Sequence, residues 1–228
     1  MTLKEEYNNL FNINIDELEF LTEVLNKNDR ILLVGFNDRY KEDLNVQLSK
    51  YDIAIAKNSE EFLNKFYKSG KSFKEISFLS EGIKELKDIR IIRELSEKVY
   101  DQLGVNGYIV LRIINYDKFI IKNKEENIFD DNEIITPIWK EDLINVLKNI
   151  GFVDIEVFGS FDKDNFNEIN SSSMIIRGRK YVDLLKDSPE YEEYSENVVE
   201  PTGCGGCCSK RSGGCSGCSG CSSGCSKH

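Results

Sequence analysis

The fold class of this sequence follows from the stretch RILLVGF at residues 30–36. It is a short, apolar run rich in β-formers and interrupted by glycine near its end, which is typical of a strand buried on both faces. Similar runs follow at residues 52–56, 75–79 and 108–114, with helical patterns between them. Strands that alternate with helices predict a three-layer α/β domain with a mostly parallel sheet.

The segments between these strands predict helices whose ends are marked by capping residues. Asn58 or Ser59 can cap a short helix after the second strand. Gly104 and Gly151 follow longer amphipathic patterns and are expected to end them. The highly charged residues 118–133 are expected to form an exposed insertion. The longer predicted helices cover residues 15–25, 38–49, 88–103 and 140–149.

The C-terminal part of the sequence changes character twice. Residues 153–159 and 173–179 read as strands without a helix between them, so they predict an antiparallel hairpin at one edge of the sheet. We therefore expect one domain at residues 1–182 and an acidic linker at residues 183–203. Residues 204–228, here called the tail, are Gly, Ser and Cys with few apolar groups, and this composition predicts disorder.

The charge and the histidine content exclude several classes of function. The formal net charge is −10, which argues against nucleic acid and against an anionic membrane surface as partners. The N-terminus lacks the basic start and apolar stretch of a signal peptide, so we expect a cytoplasmic protein. The one histidine is His228, so Ser–His and Cys–His catalysis and a His-ligated zinc site are excluded from residues 1–182.

Four segments together resemble the class I S-adenosylmethionine-dependent methyltransferases, whose fold is Rossmann-like. They are ILLVGF, LGVNGYIVLRIINY, IWKEDLINVLKNIGFVDIEVFG and MIIRGRK, in that order, and the resemblance spans residues 15–180. It implies a glycine-rich turn that binds S-adenosylmethionine after the first strand. It also implies an acidic residue that accepts hydrogen bonds from the cofactor ribose after the second strand.

This sequence departs from the methyltransferase pattern at each of these places. Only Gly35 of the glycine-rich turn is present, and it is followed by the bulky Phe36. The second strand is followed by Lys57, whose ammonium group cannot accept a hydrogen bond. Residues 57–75 are too few for the usual helix, strand and helix, so one edge strand is expected to be missing.

These departures predict that the domain does not bind the cofactor in the usual way. Gly35, Asp38 and Asn58 remain the candidate cofactor-binding residues. Each of them also has a simpler structural interpretation as a turn or a helix cap, and Lys57 can be a solvated surface charge. No residue of the domain is singled out as catalytic.

All seven cysteines lie in the tail. The last four match the spacing C-x-x-C-x-x-C-x-x-x-C of ferredoxin-type iron–sulfur ligands, although Ser226 replaces the usual proline after them. Thiolates also bind zinc and copper(I). The candidate ligands are Cys204, Cys207, Cys208, Cys215, Cys218, Cys221 and Cys225.

Several functions for the tail remain open at this stage. The favoured interpretation is a non-catalytic methyltransferase-like scaffold whose tail binds a metal ion or an iron–sulfur cluster, or forms disulfide cross-links to a partner in an assembly. The repeated Gly-Cys-Ser also resembles the core of a thiazole- and oxazole-modified or thioether-modified peptide, in which case residues 204–228 are the core of a precursor and the partner is a modifying enzyme. The remaining alternative is an active methyltransferase.

Overall fold

The computed structural model describes residues 2–12, 15–36, 44, 46–123 and 137–182. The chain divides into two units, Met1–Val182 and Asp183–His228, and every described residue belongs to the first. The linker and the tail that the sequence predicts therefore lie outside the described residues.

The described residues form six strands, which are β1 (Arg30–Val34), β2 (Asp52–Ala56), β3 (Phe73–Phe78), β4 (Leu103–Ile114), β5 (Phe152–Phe158) and β6 (Ser173–Lys180). They make one sheet in the order β2-β1-β3-β4-β6-β5. Strands β2, β1, β3 and β4 are parallel, and β6 lies antiparallel between β4 and β5. The predicted parallel sheet with a C-terminal antiparallel hairpin is confirmed. Within the described residues no strand lies beyond β2, as the short span at residues 57–75 predicts.

Helices cover both faces of the sheet because alternate strand residues point to opposite sides. Ile109 and Ile76 pack with the helices Ile89–Gln102 and Lys140–Ile150 on one face. Ile31 and Val110 pack with the helix Ile15–Thr22 on the other. The result is the three-layer arrangement that the sequence predicts. The helices are α1 (Leu3–Asn9), α2 (Ile15–Thr22), α3 (Ser59–Glu61), α4 (Ile89–Gln102), α5 (Tyr116–Asn123) and α6 (Lys140–Ile150), and a π-helical turn at Phe62–Phe66 extends α3.

Two predicted helix ends are wrong and one is confirmed. Helix α2 ends at Thr22, three residues before the predicted end. Helix α4 ends at Gln102 and not at a glycine cap, because Leu103 is already extended and pairs with Phe73 of β3. Gly151, in contrast, ends α6 in the left-handed conformation at φ +113°, as predicted.

The prediction of an exposed insertion at residues 118–133 is wrong for the first part of this segment. Residues Tyr116–Asn123 form α5, in which Phe119 is fully buried. Lys118 is 7% exposed because its ammonium group donates to the Asn170 carbonyl at 2.7 Å and forms an ion pair with Glu6. The charged side chains of this segment suggested that it is solvated, but the aromatic side chains of the same helix, Tyr116 and Phe119, are buried. Residues 124–136 lie outside the described part of the chain.

Helix α1 is an element that the sequence analysis missed. It begins with a capping box in which Thr2 Oγ1 accepts from the Glu5 amide at 3.2 Å and Glu5 accepts from the Thr2 amide at 2.7 Å. The pattern T-x-x-E was therefore the available signal.

Candidate functional site

The carboxyl ends of the four parallel strands form the edge at which a ligand site is expected. Strand β1 has β2 on one side and β3 on the other, so the order of the chain reverses between β1 and β3. Ligands of open α/β sheets bind in the crevice outside the carboxyl ends of the strands at such a reversal. Here that crevice lies between Gly35, which follows β1, and the segment after β3.

In this protein the backbone after β3 packs tightly against the backbone at Gly35. Gly35 has φ +98°, and a Cβ atom added to it would lie 2.0 Å from the Gly82 nitrogen and 2.4 Å from the Leu79 oxygen. The Glu81 amide donates to the Gly35 carbonyl at 3.2 Å. A Cβ atom on Gly82 would lie 2.7 Å from the Val34 oxygen. The glycine therefore permits close approach by the chain itself.

Asn58, another of the candidate cofactor-binding residues, follows β2 at the same edge of the sheet and caps α3. Its Oδ1 accepts from the Glu61 amide at 2.8 Å. The Glu61 carboxylate in turn accepts from the Lys57 amide at 2.6 Å, and its pKa is lowered, chiefly by the hydrogen bond from the Lys65 side chain. The Asn58 side chain is thus engaged in the local structure, as the simpler interpretation expects.

Two carboxylates that sequence reasoning did not single out also lie beyond β2. One is Glu61, which belongs to the N-x-x-E pattern that begins at Asn58. The other is Glu85, whose Oε2 accepts from the Ser59 amide at 2.9 Å. Glu85 comes from a segment 26 positions away along the chain, so no local pattern in the sequence predicts it.

The N-terminal segment covers the ends of β3 and β4. A 3-10 helix, Ser80–Glu85, follows β3, and the buried Ser80 hydroxyl donates to the Phe11 carbonyl at 2.7 Å. Ser80 has φ +49°, a left-handed conformation that few non-glycine residues adopt. An apolar cluster fills the space between α1, α5 and this 3-10 helix; it contains Leu10, Phe11, Ile83, Ile114, Tyr116 and Phe119.

A buried ion pair lies beside this N-terminal segment. Arg112 of β4 is 8% exposed, and it pairs with the fully buried Glu17 of α2. Its Nε donates to Ser173 Oγ at 3.2 Å, and its Nη1 donates to the Leu10 carbonyl at 3.0 Å. Burial lowers the pKa of Arg112, and the Glu17 charge acts against that shift. A cavity of about 290 Å³ adjoins the pair.

Comparisons with known proteins identify the fold. No protein-family model and no curated protein sequence matches this chain. An S-adenosylmethionine-dependent methyltransferase from Clostridium acetobutylicum is similar in structure, with a TM-score of 0.53, 10% identity and coverage of 78% of this chain and 97% of that chain. The fold is that of the class I S-adenosylmethionine-dependent methyltransferases.

Two other solved structures resemble this methyltransferase-like domain more loosely. A SAM-dependent methyltransferase from Archaeoglobus fulgidus has a TM-score of 0.48 at 14% identity, with coverage of 78% of this chain and 100% of that chain. A TehB-like SAM-dependent methyltransferase from Corynebacterium glutamicum has a TM-score of 0.45 at 14% identity, with coverage of 77% and 95%.

The methyltransferase-like domain brings two of the predicted site residues to one edge. Gly35 and Asn58 follow the neighbouring strands β1 and β2, whereas Asp38, the seven tail cysteines and His228 lie outside the described residues. Across the described ranges, no group of three or more His, Cys, Asp or Glu side chains could hold a metal ion. No described helix is long and apolar enough to cross a membrane.

Proposed function

We propose that this chain is a non-catalytic methyltransferase-like scaffold that presents its thiol-rich tail for metal or iron–sulfur binding, or for disulfide cross-linking to a partner protein. The observation that carries the scaffold half is the backbone contact between Gly35 and Gly82. A cofactor that needs close backbone approach at this turn has to compete with a contact that already fills the Cβ side of Gly35.

The residue after β2 supports the same conclusion. Lys57 stands where the methyltransferase pattern has an acidic residue, and an ammonium group donates hydrogen bonds but accepts none. The nearby Asn58 side chain is committed to the cap of α3. Two contacts that this family makes with its cofactor therefore lack their usual residues.

The tail half rests on the chemistry of seven thiols within residues 204–228. Thiolates are soft ligands for zinc, copper(I) and iron–sulfur clusters, and short glycine-rich spacers let several sulfur atoms converge on one ion. The same thiols, present in an odd number, favour intermolecular disulfides under oxidising conditions.

An active methyltransferase is the second candidate, and one observation favours it. The carboxylates of Glu61 and Glu85 lie beyond the end of β2, near the position where this family has its ribose-binding acid. Either could accept hydrogen bonds from the cofactor if the crevice opened.

Calorimetric titration of the full chain with S-adenosylmethionine separates these two functions. The scaffold predicts no saturable binding, whereas an enzyme predicts a dissociation constant in the low micromolar range, about −8 kcal/mol. Glu85→Gln is the matched variant. Tight binding that this substitution weakens would overturn the scaffold and establish the second candidate.

Mass spectrometry of the chain purified anaerobically from its own cells tests the tail. Added mass under native conditions that disappears on denaturation would support a bound metal ion or cluster, and multimers that collapse on reduction would support cross-linking. The control is a variant with serine at all seven cysteine positions, which should lose both. Loss of one water per ring would instead indicate a modified peptide precursor and would overturn the proposed tail function.

A further inference from the structure

The cavity beside Arg112 has no role in the proposed scaffold. Its volume is about 290 Å³, enough for a small organic molecule. Residues from five parts of the fold meet there, so tertiary packing creates it. Its wall includes Leu10, Asp16 of α2, Arg112 of β4, Phe161 and Asp162 of the loop after β5, and Ser173 of β6.

Arg112 offers the cavity a pre-positioned donor. Its Nε and Nη1 groups are held by Ser173, Leu10 and Glu17, and its guanidinium stacks on the Phe161 ring at 5.2 Å. In the described part of the chain, no hydrogen bond engages the second terminal nitrogen, Nη2. Because Glu17 already balances the positive charge, this donor suits an uncharged acceptor better than an anion.

The rim of the cavity is acidic. Asp16 and Asp162 are exposed carboxylates in its wall, and both also line a neighbouring cavity of about 310 Å³ together with Glu19. The cation of that second cavity, Lys163, is paired with Glu23. Carboxylates at a shared rim repel anions and attract a positively charged group.

We propose that this cavity binds a small organic amine with an uncharged hydrogen-bond acceptor close to its ammonium group, as in an amino amide. The ammonium group pairs with Asp16 and Asp162, and the carbonyl oxygen accepts from Arg112 Nη2. An apolar substituent packs on Phe161 and Ile175. This site is separate from the Gly35 crevice and does not depend on whether the domain binds S-adenosylmethionine.

The test is an NMR titration of the isotope-labelled full chain with leucinamide, which carries the ammonium, the carbonyl and an apolar side chain. Saturable shifts at the Ser173 and Phe161 amides and at the Arg112 Nε–H are expected. N-Acetylleucinamide lacks the charge and leucine carries a carboxylate, so each should bind at least about tenfold more weakly. Equal binding of N-acetylleucinamide, or no shift at these groups with leucinamide, would overturn the proposal.

The double variant Asp16→Asn/Asp162→Asn tests the acidic rim without disturbing the buried ion pair. Since exposed ion pairs are weak, leucinamide affinity should fall by roughly three- to tenfold. Asp142→Asn, an exposed substitution on α6 away from both cavities, is the control and should leave the affinity unchanged. Unchanged affinity in the double variant would refute the assignment of Asp16 and Asp162.

Discussion

At the scale of single residues, two glycines with similar backbone angles are expected to respond differently to substitution. Gly35 has φ +98° and backbone atoms at 2.0 Å from an added Cβ, whereas Gly70 has φ +75° and nothing within 4 Å. Gly70→Ala should cost about 1 kcal/mol from left-handed strain alone. Gly35→Ala should cost about 3 kcal/mol or more, because the backbone of Leu79 and Gly82 must also move.

Urea unfolding of the two alanine variants measures this difference. If the two substitutions destabilise the domain equally, the backbone contact between Gly35 and Gly82 is not tight in the folded domain, and the scaffold loses its main support.

A buried carboxyl group gives a second residue-scale feature. Glu75 of β3 is fully buried; its Oε1 accepts from the Ser77 hydroxyl at 2.7 Å, and among the described residues its Oε2 has no hydrogen-bond partner. Burial raises the pKa of Glu75 from 4.5 to about 8, and the Ser77 hydrogen bond and the Arg177 charge oppose that rise. Near neutral pH the carboxyl group is therefore mostly protonated.

Glu75 should make the domain less stable as the pH rises. Because the folded state binds the proton more tightly than the unfolded chain, the stability linked to this group is complete below about pH 4.5 and is lost as the pH approaches 8. Relative to Glu75→Gln, the unfolding free energy of the natural chain should fall by roughly 1 kcal/mol per pH unit between about pH 5 and 8. Parallel stability curves for the two proteins would show that Glu75 is ionised in the folded domain.

At the scale of elements, the Arg112–Glu17 pair joins α2 to β4 through a buried contact. Removing one partner of such a pair leaves a buried charge without its counter-ion, which costs about 3 to 5 kcal/mol. Arg112→Met should therefore destabilise the domain strongly in urea unfolding. Arg90→Met is the control, because Arg90 pairs with Asp88 at 2.8 Å with 85% of its side chain exposed, and the unfolding free energy should change far less than in Arg112→Met.

The double variant Arg112→Met/Glu17→Met separates charge from packing. It should recover most of the stability that Arg112→Met loses, since an apolar pair of similar volume avoids the desolvation of both charges. A double variant as unstable as the single one would mean that the hydrogen bonds to Leu10 and Ser173 dominate.

At the scale of the whole molecule, every cysteine lies in the tail and none in the domain. No disulfide within residues 1–182 can therefore stabilise the fold. We expect dithiothreitol to leave the unfolding midpoint of the domain unchanged while it releases any cross-linked multimers. The control is the variant with serine at all seven positions, whose midpoint should equal that of the natural chain. A lower midpoint on reduction would mean that the tail stabilises the domain through disulfides.

The amino-acid sequence alone predicted the α/β class, the mostly parallel sheet and the missing edge strand. Apolar runs such as residues 30–36 can be buried on both faces only in a covered sheet. Local hydrogen bonds also made Asn58 and Gly151 recognisable as caps, because their partners lie within a few positions. Departures from the methyltransferase pattern at Phe36 and Lys57 were likewise visible in the sequence.

The surroundings of these residues, in contrast, became visible only in the folded domain. The backbone contact at the crevice depends on Gly82, which meets Gly35 from 47 positions along the chain. The Arg112–Glu17 pair joins residues 95 positions apart, and the cavity beside it is lined by segments that the sheet brings together. Periodicity reports which face of an element is apolar, but it carries no information about which distant segment packs there. For the same reason the charges at residues 118–123 suggested an exposed insertion, although Phe119 is buried beneath α1.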